Sequence, residues 1–144
     1  MRRVHIEDVD TYMGPASVKR PLSTELETEG IAINYFELDP GESFAFGYHS
    51  HAGQEEVFYL LGGTAVFETG ASAEPGEYQQ GHNENTERVV ALAIGAPRDA
   101  GETDIRRECP PCGEDTPQEI EMTEDHDSLV TRCIECGTET GRFD

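Results

Sequence analysis

His49-Ser50-His51-Ala52-Gly53-Gln54-Glu55-Glu56-Val57-Phe58-Tyr59-Leu60-Leu61-Gly62-Gly63 is the stretch on which the reading of this chain turns. Two histidines two residues apart end one apolar run, and two glutamates open the next. On an extended strand, residues i and i+2 share a face, so both imidazoles can point into the same interior. A carboxylate from the following strand can complete a facial set of three ligands. Such a set suits Fe(II), Mn(II), Ni(II) or Zn(II) with open positions left for a small molecule.

Outward from this stretch the chain reads as short strands divided by turns. Before it stand Ile31–Leu38, the turn Asp39-Pro40-Gly41-Glu42, and Ser43–His49. After it, Gly62-Gly63 turns the chain into Thr64–Thr69, and Arg88–Ile94 is a further apolar strand closed by Gly95-Ala96-Pro97. Strands every eight to twelve residues with Gly/Pro/Asn turns and no convincing helix predict an all-β sandwich or barrel. Residues 1–30 read as an N-terminal arm with one short strand at Val4–Ile6. Residues 31–97 read as the barrel, and the polar run 98–107 as a linker.

His49-x-His51-x-x-x-x-Glu56, with Tyr59 and Gly63 at the following offsets, resembles the first motif of the cupin superfamily. The resemblance implies a small jelly-roll barrel with His49, His51 and Glu56 on an internal metal. Glu56 fits that motif better than Glu55, which should face outward. The second cupin motif matches as Gly76-x-x-Gln79-x-x-x-Asn83, with Gln79 where a third histidine is expected. Glutamine is a weak neutral donor, so Gln79 reads as an occasional fourth position or as a polar pocket residue. His82 is three residues away, but its parity differs, which favours a surface or partner-facing role. Only residues 70–75 separate Thr69 from Gly76, which leaves the pattern one hairpin short. The exposed edges would need a second subunit, the arm or the C-terminal module to cover them. A homodimer is the expectation.

The C-terminal module, residues 108–144, holds Cys109-Pro110-Pro111-Cys112-Gly113 and Cys133-Ile134-Glu135-Cys136-Gly137. Two C-x-x-C-G elements twenty residues apart suit four thiolates around one Zn²⁺. The glycine after each pair lets the backbone curl round the sulfur. The alternatives are two disulfides or a redox pair, and a redox pair would not need its twin. The turns resemble the knuckles of a zinc ribbon, which implies a structural Zn²⁺ site at Cys109, Cys112, Cys133 and Cys136. The start Met1-Arg2-Arg3-Val4 carries no apolar secretory region, and a reducing cytoplasm is the expected setting.

Composition narrows the partners. In 144 residues, thirty acids face ten basic residues, for a net charge of −20, and Lys19 is the single lysine. Such a surface looks like that of proteins from salt-accumulating halophiles, where molar salt screens self-repulsion. The ribbon region alone carries eleven acids against two arginines. Nucleic acid is therefore disfavoured as a partner, and no apolar run is long enough to span a bilayer. A small-molecule ligand in the barrel and a protein partner for the ribbon remain.

Three classes of function follow. One is a metal-dependent cupin oxygenase or isomerase in which Tyr48, Tyr59 and Tyr78 are the nearby proton donors and no lysine stands near. Another is a ligand-binding or regulatory module whose barrel site is empty or degenerate. The last is a structural subunit with no filled pocket.

Overall fold

In a computed structural model of the chain, the described residues are 1–70 and 76–144, and they form eleven strands in two sheets. The expected loop at 71–75 lies outside them. The strands are β1 (Val18–Pro21), β2 (Ala32–Leu38), β3 (Tyr48–His51), β4 (Glu55–Gly62), β5 (Val66–Thr69) and β6 (Gln79–His82), followed by β7 (Val89–Ala96), β8 (Thr103–Cys109), β9 (Glu114–Met122), β10 (Leu129–Cys133) and β11 (Glu139–Phe143). One sheet runs β1-β2-β7-β4 and the other β11-β10-β9-β8-β3-β6-β5. The all-β expectation holds, and the two sheets make a cupin-like barrel with the four-cysteine module on its longer sheet.

The core lies between the sheets. β7 alternates strictly, burying Val89, Ala91 and Ala93, and these meet Phe36 and Leu38 of β2. Phe44 closes the stack, its ring centroid 5.2 Å from Phe36, 5.1 Å from Phe58 and 5.7 Å from Phe67. Offset and edge contacts at these separations add to the burial of four large rings. Asn83 is buried and satisfied. Its amide donates to the Leu38 and Glu87 carbonyls at 3.0 and 2.8 Å, tying the end of β6 to β2 and the approach to β7.

The structure departs from four local expectations. Val4–Ile6 forms no strand: a single 3₁₀ turn covers Ile6–Asp8, while the arm's strand is β1 and a short helix follows at Leu22–Leu26. Ser43–Gly47 is irregular, and only Tyr48–His51 is strand. There, a side chain on Gly47 would meet the Arg106 carbonyl at 2.5 Å, so the backbones approach too closely for an ordinary residue. The outer face of β4 is exposed, Tyr59 included, so that tyrosine points away from the interior where a proton donor would have to stand. Most consequential, residues 103–107 of the expected linker belong to β8. This strand pairs with β3 on one side and β9 on the other. One apolar residue, Ile105, among five polar neighbours leaves no alternation to read, but hydrogen bonds along both edges make the strand.

The apparent loss of a hairpin is compensated within the chain. β1 of the arm covers β2 in register Lys19↔Phe36, and β8 covers β3 in register His49↔Ile105. Among the described residues, no helix is long and apolar enough to cross a membrane.

Candidate metal centres

His49 and His51 project from one face of β3, as the i, i+2 spacing requires, and Glu56 comes from β4 in the opposite sheet. One ligand atom from each falls within 4.8 Å of the others. The His51 Nε2 lies 3.6 Å from Glu56 Oε2. The Gly47 carbonyl lies 3.2 Å from His49 Nδ1 and can only accept, so Nδ1 carries the proton and Nε2 the lone pair. His51 Nδ1 is 3.0 Å from the Thr103 hydroxyl, a contact that orients this ring through β8. A second group on the remote ring nitrogen is how metal-binding histidines are held. Gln79 is paired with His49 across β3 and β6, and its amide donates to Glu56 Oε2 at 2.5 Å. It therefore stands at the site as a neighbour of the carboxylate.

Burial sets the charges here. It holds both imidazoles below their ordinary pKa, with a smaller contribution at His49 from His51, and so keeps them neutral as ligands must be. It pushes Glu56 above the usual carboxylate range, opposed by the positive charge of Lys19. A withdrawn carboxylate beside two neutral imidazoles is a donor set that a divalent cation would satisfy. The residues fit a metal.

These groups line a cavity of about 430 Å³ between the sheets, with Phe36, Phe44 and Phe58 as apolar wall and Asn34 and Gln54 as polar points. Two sequence expectations fail here. Lys19 lines the cavity, although no lysine was expected near it, because β1 delivers it from thirty residues upstream of His49. The tyrosines lie elsewhere: Tyr48 and Tyr78 stack at 5.4 Å on the other side of the sheet, Tyr78 donates to Asp104, and Tyr59 faces solvent. His82 lines a separate polar cavity with Tyr48 and Arg106, as its parity predicts, and is not brought to the metal site. The signal for Lys19 was its singularity in so acidic a chain.

At the other end of the long sheet, Cys109, Cys112, Cys133 and Cys136 gather with all four sulfurs within 4.8 Å. Their thiols are free. Cys109 Sγ lies 3.4 Å from Cys136 Sγ, and Cys112 Sγ lies 3.9 Å from Cys133 Sγ. A disulfide needs about 2.05 Å, whereas tetrahedral thiolates on one zinc ion stand about 3.8 Å apart. These cross-pair distances are too long for disulfides and bring the four sulfurs to where they could hold one ion. The two turns are duplicates: Gly113 and Gly137 sit at φ 76° and 73°, and each donates its N–H to the carbonyl of the first cysteine at 2.8 Å. Hydroxyls lower two thiols, Cys133 through Thr116, and Cys136 through Thr138 down to about 6. Burial raises Cys109, and the adjoining thiols raise Cys112. The sulfurs contend for protons that a cation would displace.

Fold and sites together define a cupin-like barrel with two groups that could hold metal ions, one of His/Glu and one of cysteines. No family model matches the chain, and no curated protein is similar to it. Solved structures are similar in fold. The TT1209 protein of Thermus thermophilus is 23% identical, with a TM-score of 0.54 over 69% of this chain and all of that one. A double-stranded β-helix domain protein of Klebsiella pneumoniae is 16% identical, with a TM-score of 0.56 over 72% of this chain and 90% of that one. A sugar phosphate isomerase of the cupin superfamily from Silicibacter pomeroyi is 15% identical, with a TM-score of 0.54 over 99% of this chain and 92% of that one. These likenesses concern the fold.

Proposed function

We propose that this protein binds a divalent metal in its barrel and a small molecule beside it, while a zinc ion staples the C-terminal module. The observation that carries the reading is the convergence of His49, His51 and Glu56 on one cavity, with the imidazole Nδ1 atoms engaged by Gly47 and Thr103. A bound divalent ion would supply Lewis acidity toward an oxygen of the guest. Phe36, Phe44 and Phe58 give the cavity an apolar wall, and Asn34 and Gln54 offer amides to orient the guest. Polarisation of a carbonyl for isomerisation fits this arrangement better than phenol-mediated proton transfer, because the three tyrosines face away. A sugar phosphate isomerase among the fold neighbours is in keeping with that chemistry.

A non-catalytic ligand-binding module is the second reading. Gln79 favours it, since an amide spent on Glu56 leaves the centre one imidazole poorer than a four-ligand site. In either reading the protein pairs with a second copy through β4. That strand is the edge of its sheet, and it exposes Val57 at 56%, Tyr59 at 61% and Leu61 at 53%. Two such strands related by a two-fold axis would continue one sheet, satisfy both open edges and set the two apolar rows side by side on its outer face.

Elemental analysis tests the metal assignments on wild type, on His49→Ala/His51→Ala and on Cys109→Ser/Cys133→Ser. One zinc lost only with the cysteines, and a second metal lost only with the histidines, is the expected result. A single zinc indifferent to the histidine changes refutes the barrel centre. Turnover with carbonyl compounds then separates the enzyme from the binding module.

A further inference from the structure

The chain's only lysine is placed where a surface lysine would not be. β1 pairs antiparallel with β2, and Lys19 stands opposite Phe36, a core residue 4% exposed. Its side chain therefore follows Phe36 inward. The ammonium lies 5.8 Å from the Phe36 ring centroid and lines the same cavity as His49, His51 and Glu56. Among the described residues it makes no hydrogen bond and no ion pair within 4.0 Å, and Glu56 acts on it only through its field. Desolvation accordingly holds Lys19 below its ordinary pKa. The side chain is half-buried and its three N–H donors are left facing the cavity. The other cation of the cavity wall, Arg98, is exposed at the rim and donates to the Thr28 carbonyl.

We infer that Lys19 is the anion-recognising residue of the barrel, and that the guest is a small molecule carrying a carboxylate or phosphate group. The inference rests on the metal-binding reading given above. With a divalent ion held, the single charge of Glu56 is outweighed, and Lys19 adds to the surplus. The cavity would then be a positive point within a chain of net charge −20. An anion entering it meets a half-buried ammonium that no side chain among the described residues already occupies, so a charge-assisted hydrogen bond can form there. The arm is thereby part of the binding site: it supplies specificity from a strand that also seals the edge of β2.

The test is isothermal titration calorimetry on the full chain, before and after Co(II) addition, at fixed ionic strength and chloride. Pyruvate and inorganic phosphate are the anionic probes, and hydroxyacetone is the neutral one. Wild type should bind one of the anions at least about tenfold more tightly than hydroxyacetone, a difference of about 1.4 kcal/mol. Which anion it is distinguishes a carboxylate guest from a phosphate ester. Lys19→Met retains the apolar stem and should weaken the anion about tenfold or more, while Lys19→Arg stays within about threefold. Co(II) stoichiometry should be the same in all three proteins. Equal anion affinity in wild type and Lys19→Met overturns the inference, as does failure of wild type to prefer either anion over hydroxyacetone. A protein that takes up no barrel Co(II), yet binds the anion in a Lys19-dependent way, removes the metal reading and leaves the role of Lys19 standing.

Discussion

Glu56 shows how function opposes stability in this barrel. Its folded pKa is raised from the ordinary 4.5 by burial, so the metal-free native state binds more protons than the unfolded chain between those two values. Stability from this group is full below about 4.5 and is lost as pH rises through the folded pKa. His49 and His51 act in the opposite sense. Their lowered values give a contribution that is full above the ordinary 6.5 and is lost as pH falls through the depressed pKa. In the metal-free protein at pH 7, where burial penalises the ionised carboxylate, Glu56→Gln should therefore stabilise the fold. Its amide oxygen can still accept from Gln79. With the barrel metal bound, the same change should destabilise it. Thermal unfolding with and without added Co(II) checks the reversal of sign, and a loss of stability in both states would refute the account.

At the scale of elements, the two cysteine turns and β8 carry the most. Gly113 and Gly137 hold left-handed conformations that cost other residues about 1–2 kcal/mol each. Neither has an atom within 4 Å of where a Cβ would stand, so the cost of alanine is conformational and not steric. Gly113→Ala and Gly137→Ala should each lower stability by about that amount and hasten zinc release to a chelator, as read by a colorimetric zinc indicator. β8 links the module to the barrel in both directions. Thr103 reaches His51, Ile105 lines the cavity, and Cys109 ends the strand as a thiol of the cysteine site. One continuous sheet thus joins the two candidate metal centres.

For the whole molecule, charge and the open edge of β4 act against each other. A net charge of −20 repels a second copy at low ionic strength, while Val57, Tyr59 and Leu61 favour one. Shortening the screening length to about 3 Å at 1 M salt should tip the balance toward the dimer. Light scattering across a salt series should show dimer in molar salt, and Tyr59→Asp should remain monomeric there because it adds charge in the middle of the apolar row. A Tyr59→Asp protein that still dimerised would place the contact elsewhere. The wild-type monomer should also gain thermal stability with salt, as its own acidic surface is screened.

The chain by itself determined the elements whose information is local. The continuous apolar run Val89–Ile94 set a strand, the i, i+2 spacing of His49 and His51 set two imidazoles on one face, and each C-x-x-C-G set its own turn. Parity also kept His82 away from the metal site. Only the tertiary structure decided what depends on distant partners. β8 is a strand because β3 and β9 flank it, although its sequence carries no apolar pattern. Lys19 enters the cavity because the arm pairs with β2 in one register, and a shift of one residue would turn it to solvent. Local sequence encodes propensity and periodicity, whereas register between strands far apart in the chain is settled by the packing of the whole barrel, and it is that register which brings a lysine to the histidines.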